Sequence, residues 1–199
     1  MTTQLLHNLL TEFMSAKDYP ISVYNEISLQ HELGLYLRAR LLGLGYSVLF
    51  EKNVKELVSV DCRHFLKKEI DLVLSNGIEK FAVELKFPRD GQYPDQMVYF
   101  LKDIAFIDQL IEAGFDGGAV ATLVDDPLFY SNNKNSEYPY SIFRSQHIVI
   151  RKGMELKYAT GKEKNKCIYR FQREHKALWY NLTASWKRSE LQRYYIFSM

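Results

Sequence analysis

The chain of 199 residues contains only two cysteines, Cys62 and Cys167, and they lie far apart in the sequence. Two distant cysteines provide neither a disulfide framework nor the paired spacing of a structural zinc site. No apolar run reaches the roughly 18 residues that a membrane span requires. We therefore expect a protein without a membrane segment that folds in a reducing, cytoplasmic setting.

Two further absences restrict the reaction chemistry. The ten glycines form no phosphate-binding loop of the kind that nucleotide-driven motors use. The five histidines show no metal-ligand spacing and no evident pairing with a serine nucleophile. The sequence therefore disfavours a nucleotide-driven motor and a hydrolase with a serine nucleophile.

Charge is unevenly distributed along the chain, although the formal net charge is only +2. Residues 1–150 contain 14 Lys and Arg against 20 Asp and Glu, whereas residues 151–199 contain 12 against 4. A basic final quarter beside an acidic body suggests a polyanionic partner. A lysine-rich surface that only improves solubility explains the charge equally well.

Hydrophobic periodicity predicts one α/β domain with a mixed sheet flanked by helices. A first long helix, capped by Asn25 or Ser22, is predicted to end at Gly43 and Gly45, and a second covers residues 95–114. Four strands are predicted over residues 46–54, 69–77, 79–87 and 117–126. The first three strands are expected to be antiparallel, and a crossover helix joins the fourth.

The rest of the chain predicts a basic, aromatic and β-rich C-terminal extension over residues 147–199. Two β-like segments around Lys152-Gly153 predict a hairpin, and a helix is possible around residues 184–192. Residues 130–146 predict a long loop that would help to hold a substrate. Because no repeat or linker is evident, we expect a single domain over residues 1–199.

Two charged residues, Glu84 and Lys86, interrupt the apolar strand of residues 79–87 and share one face of it. Asp71 lies near the start of the neighbouring strand, which is the same end of an antiparallel pair. Isolated buried charges cost several kcal/mol each, so a divalent cation would make this cluster reasonable. The two carboxylates and the Leu85 carbonyl suit Mg²⁺. Lys86 would orient or help to deprotonate a water molecule, or stabilise a developing oxyanion.

Ile70-Asp71 followed by Glu84-Leu85-Lys86 resembles the motif of the PD-(D/E)xK nuclease superfamily, which has the restriction-endonuclease-like fold. The resemblance covers a core of residues 23–126, and Ile70 replaces the motif's proline without affecting the chemistry. It implies hydrolysis of nucleic-acid phosphodiesters with Mg²⁺ or Mn²⁺, with Asp71 and Glu84 as metal ligands and Lys86 as the catalytic lysine. In the alternative interpretation, Glu84 and Lys86 are an exposed ion pair.

The superfamily often adds a glutamate from the first core helix, and Glu26 and Glu32 are the candidates. Measured back from Gly45, Glu32 lies about 20 Å along the helix and Glu26 about 28 Å. A six-residue strand covers about 20 Å, which slightly favours Glu32. The helical phase favours Glu26, which shares a stripe with Leu29 and Leu33. Both candidates stay open.

Basic residues provide the expected contacts with nucleic acid. Arginine and lysine bind phosphates, and exposed aromatic rings stack on bases, although we expect most aromatics of the extension to be buried. The candidates are Gln96, Lys102, Arg170, Arg173, Lys187 and Arg188. We expect a DNA endonuclease, and a homodimer is possible because one site cuts one strand. The alternatives are a nucleic-acid-binding module without turnover and a protein-interaction domain.

Overall fold

The apolar segments of the sequence form a central sheet in the structure, a computed structural model that describes residues 1–88, 93–131 and 137–199. The described residues form ten strands: β1 (Ser47–Asn53), β2 (Glu69–Ser75), β3 (Lys80–Lys86), β4 (Gly117–Val124), β5 (His147–Ile150), β6 (Glu155–Lys157), β7 (Cys167–Arg170), β8 (His175–Leu178), β9 (Tyr180–Asn181) and β10 (Arg193–Ser198). Six of them build one sheet in the order β1-β2-β3-β4-β10-β9. The antiparallel directions predicted for β1 to β3 are confirmed, and β4 is parallel to β3.

Helices cover both faces of this sheet. The described residues form α1 (Thr3–Ser15), α2 (Glu26–Leu41), α3 (Tyr93–Glu112) and the short α4 (Tyr140–Phe143). Helices α1 and α2 pack on the face that carries Leu72 and Val83. Helix α3 packs on the opposite face against Val73 and Ala82. Because both faces are buried, β3 and β4 are almost continuously apolar. The predicted mixed α/β class is confirmed.

Helix α2 begins where the sequence predicts a cap. Asn25 Oδ1 accepts a hydrogen bond from Ser28 N at 2.8 Å, and Ser28 Oγ accepts one from Asn25 N at 3.0 Å. This capping box fixes the first turn of the helix, so Glu26 is held at the end of the element. Gly34 allows α2 to lie close to β1, because a Cβ atom there would be 2.2 Å from Phe50 Cζ.

The C-terminal quarter folds differently from its prediction. Strand β5 pairs with β8 and β6 pairs with β7, so the predicted hairpin at Lys152-Gly153 is wrong. Residues 184–192 form turns, because Gln192 Oε1 accepts a hydrogen bond from Arg188 N at 2.7 Å and Trp186 packs on Phe13. Strand β10 pairs with β4, so the end of the predicted extension belongs to the main sheet.

Helix length and hydropathy were also compared with what a bilayer requires. Within residues 1–88, 93–131 and 137–199, no helix is both long enough and apolar enough to span a membrane.

Candidate active site

Strands β2 and β3 hold Asp71 and Glu84 side by side. Leu72 pairs with Val83 in the antiparallel register, and the two acids follow at the next position. Asp71 N donates a hydrogen bond to Glu84 Oε1 at 3.3 Å, and Leu85 N donates one to Asp71 Oδ2 at 2.7 Å. The structure therefore brings the two predicted metal ligands to the same end of the sheet.

Burial changes the acidity of both carboxyl groups. Glu84 is fully buried, and this desolvation together with the charge of Asp71 raises its pKa well above the ordinary value. Desolvation likewise raises the pKa of Asp71 to about 6, although Lys67 opposes the shift. Both shifts are the expected result of placing two neighbouring carboxyl groups away from water.

Lys67 supplies the nearest positive charge, and the sequence analysis did not identify it. Its Nζ contacts the Glu84 carboxylate and lies 3.1 Å from Asp103 Oδ1 and 3.9 Å from Asp71 Oδ1. Desolvation lowers the pKa of Lys67, but the three acids outweigh that effect and raise it overall. Lys67 precedes β2 in a segment without clear periodicity, so no sequence signal distinguished it.

Asp103, on α3, is the second residue that sequence reasoning missed. Its side chain is 2% exposed, and its Oδ2 has no hydrogen-bond partner within the described ranges. Lys86 Nζ lies 3.6 Å from that oxygen. A signal was present in the sequence, because Asp103 interrupts the buried stripe of the helix between Phe100 and Ile107.

Lys86 connects the acids to the first turn of α2. Its Nζ donates hydrogen bonds to Glu26 Oε1 at 2.9 Å and to the Leu85 carbonyl at 3.1 Å. Phe87 N donates a hydrogen bond to Glu26 Oε2, also at 2.9 Å. Burial lowers the pKa of Lys86, but Asp103 and Glu26 raise it overall.

The slight preference for Glu32 over Glu26 is wrong. Glu32 instead lies 3.6 Å from His31 on its own helix. The length comparison placed the helix contact beside Glu84, whereas α2 contacts the last residue of β3, Lys86, and the residue after the strand, Phe87. The helical phase gives the correct glutamate because the side chain in phase with the buried leucines faces the sheet.

An open cleft of about 540 Å³, which we call the Lys86 cleft, adjoins these residues. Gln96, Tyr99 and Lys102 of α3 line it together with Asn25 and Ile27 of α2, so two predicted nucleic-acid contacts lie beside the site. The cleft is also lined by Glu26, Lys67, Lys86, Phe87, Pro88 and Asp103. It is large enough for a nucleotide-sized group.

The four basic candidates of the extension are not brought to this cleft. Arg170 pairs with Glu155, Arg173 with Asp108 and Lys187 with Glu190, and the exposed Arg188 lies in the turn before β10. Among the described residues that line the Lys86 cleft, none comes from the extension. Of the predicted substrate loop 130–146, residues 132–136 lie outside the described part of the chain.

The donor set consists of carboxylates, and lysine ammonium groups provide their counter-charge in the structure. In the described part of the chain, no three His, Cys, Asp or Glu side chains are arranged to bind one metal ion. However, Asp71, Glu84, Asp103 and Glu26 surround only two ammonium groups, which leaves a formal charge of minus two when all are ionised. Hard carboxylate oxygens are the ligands that Mg²⁺ prefers, and Asp103 Oδ2 has no hydrogen-bond partner within the described ranges, although Lys86 Nζ lies 3.6 Å from it.

Comparisons of the chain with protein-family models, with curated proteins and with solved structures found no match. The functional argument therefore depends on the side chains and their arrangement. Those side chains combine buried acids, two lysines and an adjoining open cleft.

Proposed function

We propose that the protein is a Mg²⁺-dependent nuclease that hydrolyses phosphodiester bonds, with DNA cleaved internally. The observation that carries the proposal is the meeting of Asp71 and Glu84 at the end of two antiparallel strands, with Lys86, which lines the Lys86 cleft, two residues further along β3. This combination suits a nuclease, because a metal ion and a lysine together would neutralise the charge that develops on phosphate.

The order of the elements supports a restriction-endonuclease-like fold. Helix α2 precedes three antiparallel strands, α3 follows them, and β4 adds a parallel strand. This is the order that the resemblance to the PD-(D/E)xK superfamily implies for residues 23–126. The β10 strand beside β4 is an addition to that core.

Asp71, Glu84 and the Leu85 carbonyl would hold the ion, which is Mg²⁺ or Mn²⁺. When bound, such an ion polarises the phosphate and lowers the pKa of a coordinated water molecule. The buried acids keep both strands in register around it, since Leu85 N donates to Asp71 and Asp71 N donates to Glu84.

Lys86 acts as a fixed positive charge. Its pKa is raised, so the ammonium group stays protonated at neutral pH and does not accept a proton from water. The group instead stabilises negative charge on the phosphate oxygens. Glu26 orients it through the 2.9 Å hydrogen bond, while the second Glu26 oxygen is held by Phe87 N.

The rim of the Lys86 cleft provides groups that suit a nucleic-acid strand. The Tyr99 side chain is 47% exposed, and Lys102 lies one helical turn further along α3. An exposed ring can stack on a base and a lysine can bind the neighbouring phosphate. Gln96 adds an amide at the same rim.

A cleavage assay on plasmid DNA, single-stranded DNA and RNA tests the proposal. We expect cleavage with Mg²⁺ or Mn²⁺ that chelator abolishes. Lys86→Ala should lower the rate about 100- to 1000-fold, since it removes one preorganised charge from the transition state. Lys68→Ala is the matched control, because Lys68 is exposed beside the site and should leave the rate unchanged.

Absence of cleavage with every substrate and both metals would contradict the nuclease proposal, as would full activity of Lys86→Ala. An unchanged melting temperature of that variant would show that lost activity is not lost folding.

The position of Lys67 favours a second candidate, a nucleic-acid-binding module without turnover. Its ammonium lies where a metal ion would otherwise balance the acids. In such a module, Lys67, Lys86 and Lys102 would only contact phosphates along the cleft. DNA binding in a gel that chelator does not weaken, without any cleavage, would favour this candidate.

A further inference from the structure

We infer that Lys67 is an internal counter-ion that occupies the cation position between Asp71, Glu84 and Asp103, and that a divalent metal ion displaces it. The inference deepens the proposed function and rests on the metal site assigned there. It adds Asp103 as an acid beside that site and gives Lys67 a defined role in the metal-free protein.

The convergence of three elements on one ammonium is the first observation. Asp71 comes from β2, Glu84 from β3 and Asp103 from α3, and Lys67 Nζ lies within 3.9 Å of an oxygen of each. Surface lysines usually pair with a single acid and gain little from it. Here, carboxylates from three elements surround one ammonium group.

Burial is the second observation. The side chains of Glu84 and Asp103 are 0% and 2% exposed, and that of Lys67 is 22% exposed. Buried carboxylates without a counter-charge are strongly destabilising. Lys67 therefore supplies a counter-charge to these buried acids in a folded protein that holds no metal ion.

The third observation is that Oδ2 of Asp103 makes no hydrogen bond within the described ranges. Its Oδ1 contacts Lys67, whereas its buried Oδ2 lacks a hydrogen-bond partner within the described ranges. One ammonium offers only three hydrogen bonds, so it cannot satisfy all the oxygens that face it. A divalent ion carries twice the charge and accepts six or more oxygen ligands, including water.

Lys67 also has room to leave. Its side chain lines the Lys86 cleft on one side and, on the other, a second cleft of about 530 Å³ that is bordered by Lys55, Arg63 and Lys68. The four-carbon stem of lysine rotates freely about its single bonds. The ammonium can therefore move into open space while the backbone before β2 stays in place.

Metal affinity measured by calorimetry with Mg²⁺ tests the exchange. Lys67→Met removes the charge but keeps an unbranched stem, and Lys68→Met is the matched control on the exposed neighbour. We expect Lys67→Met to bind Mg²⁺ at least about tenfold more tightly than the wild type, because a unit charge in direct contact with the ligands is removed. Lys68→Met should bind like the wild type.

Equal or weaker Mg²⁺ binding by Lys67→Met would overturn the inference. Cleavage of DNA by the wild type, measured separately, reports on the proposed function. Tighter binding by Lys67→Met without any cleavage would retain the counter-ion and reject the nuclease. Cleavage of DNA by the wild type, together with equal Mg²⁺ affinity of Lys67→Met and the wild type, would retain the nuclease and reject the counter-ion.

A labelling experiment on the wild type avoids any loss of folding in the variant. Brief acylation of lysines followed by mass spectrometry should leave Lys67 protected in chelator and modify it several-fold faster with Mg²⁺. Lys68 should react at the same rate in both conditions, because it is exposed in either state. A Lys67 rate that does not rise with Mg²⁺ would overturn the inference even if the metal binds elsewhere.

Discussion

Helix α3 buries two aspartates five residues apart, Asp103 and Asp108, and the charges around them are arranged differently. Asp108 is 0% exposed, its Oδ2 shares a hydrogen bond of 2.9 Å with His175 Nε2, and its Oδ1 forms an ion pair with Arg173 Nε at 3.3 Å. We call these three residues the Asp108 cluster. It contains one acid and one guanidinium group, so the charge of Arg173 is sufficient to balance the buried carboxylate.

The Asp103 cluster, formed by Asp103, Asp71, Glu84, Glu26, Lys67 and Lys86, has four acids and two bases. It also adjoins the Lys86 cleft, whereas His175 of the Asp108 cluster packs between the rings of Phe171 and Phe197. The comparison indicates that a buried acid with a balancing positive group, as at Asp108, stabilises the packing of two elements of the fold. An excess of buried acid beside an open cleft indicates a ligand.

The same substitution in the two clusters should separate these roles. Asp108→Asn should lower the free energy of unfolding by about 2–3 kcal/mol, because Arg173 and His175 lose their buried counter-charge. For a chain of this length, that corresponds to a melting temperature roughly 5–10 °C lower. We also expect Mg²⁺ to raise the melting temperature of Asp108→Asn by as much as it raises that of the wild type. A normal melting temperature would show that the Asp108 cluster does not stabilise the fold.

Asp103→Asn should have the opposite effect. Removing one acid reduces the excess negative charge, so the metal-free protein should lose little stability. Mg²⁺ affinity and cleavage should both fall about 10- to 100-fold, because a buried acid beside the proposed metal ligands is lost. Calorimetry and the plasmid assay measure the two quantities. Unchanged metal affinity would remove Asp103 from the site.

The buried acids of the Asp103 cluster should also make the stability of the protein depend on pH. The pKa of Asp71 is raised to about 6 from an ordinary value of 3.8 by desolvation, so the folded state binds its proton more tightly. The resulting stability is present in full below the ordinary pKa and is lost as the pH rises through about 6. In chelator, the melting temperature of the wild type should therefore fall between pH 5 and pH 7 relative to that of Asp71→Asn.

The shift of Glu84 acts in the same direction, whereas Lys67 and Lys86 have raised pKa values and do not titrate in this range. Parallel melting curves of wild type and Asp71→Asn across that range would contradict the account of the buried acids.

Removing a charge outside the two clusters should have the smallest effect of these substitutions. Lys102→Met should weaken DNA binding several-fold and reduce the slope of log affinity against log salt by about one, because one phosphate contact is lost. Lys187→Met is the control, since Lys187 pairs with Glu190 away from the Lys86 cleft. Equal losses of DNA affinity in both variants would indicate that the substrate also contacts the C-terminal quarter.

The rules of strand alternation, strand pairing and helix capping were sufficient to predict part of the site from the sequence. Strand alternation puts Glu84 and Lys86 on one face, and antiparallel pairing brings Asp71 to them. Asn25 was a predictable cap because the capping interaction involves residues three apart. These features depend on short stretches of chain or on neighbouring strands.

The rest depended on contacts between distant segments. Lys67 meets Asp103 across 36 residues, and no periodic pattern encodes that approach. The pairing of β5 with β8 joins residues about 30 positions apart, so a nearby glycine suggested the wrong partner. Choosing between Glu26 and Glu32 required knowledge of where α2 meets β3, which is a property of helix packing on the sheet.

An anomalous difference map from a crystal of the wild-type protein soaked in Mn²⁺ tests the central claim most directly. The account predicts a peak within ligand distance of carboxylate oxygens of Asp71 and Glu84, with the Lys67 ammonium moved away from them. A map without a peak at these carboxylates, in which Lys67 still contacts Glu84, would contradict it.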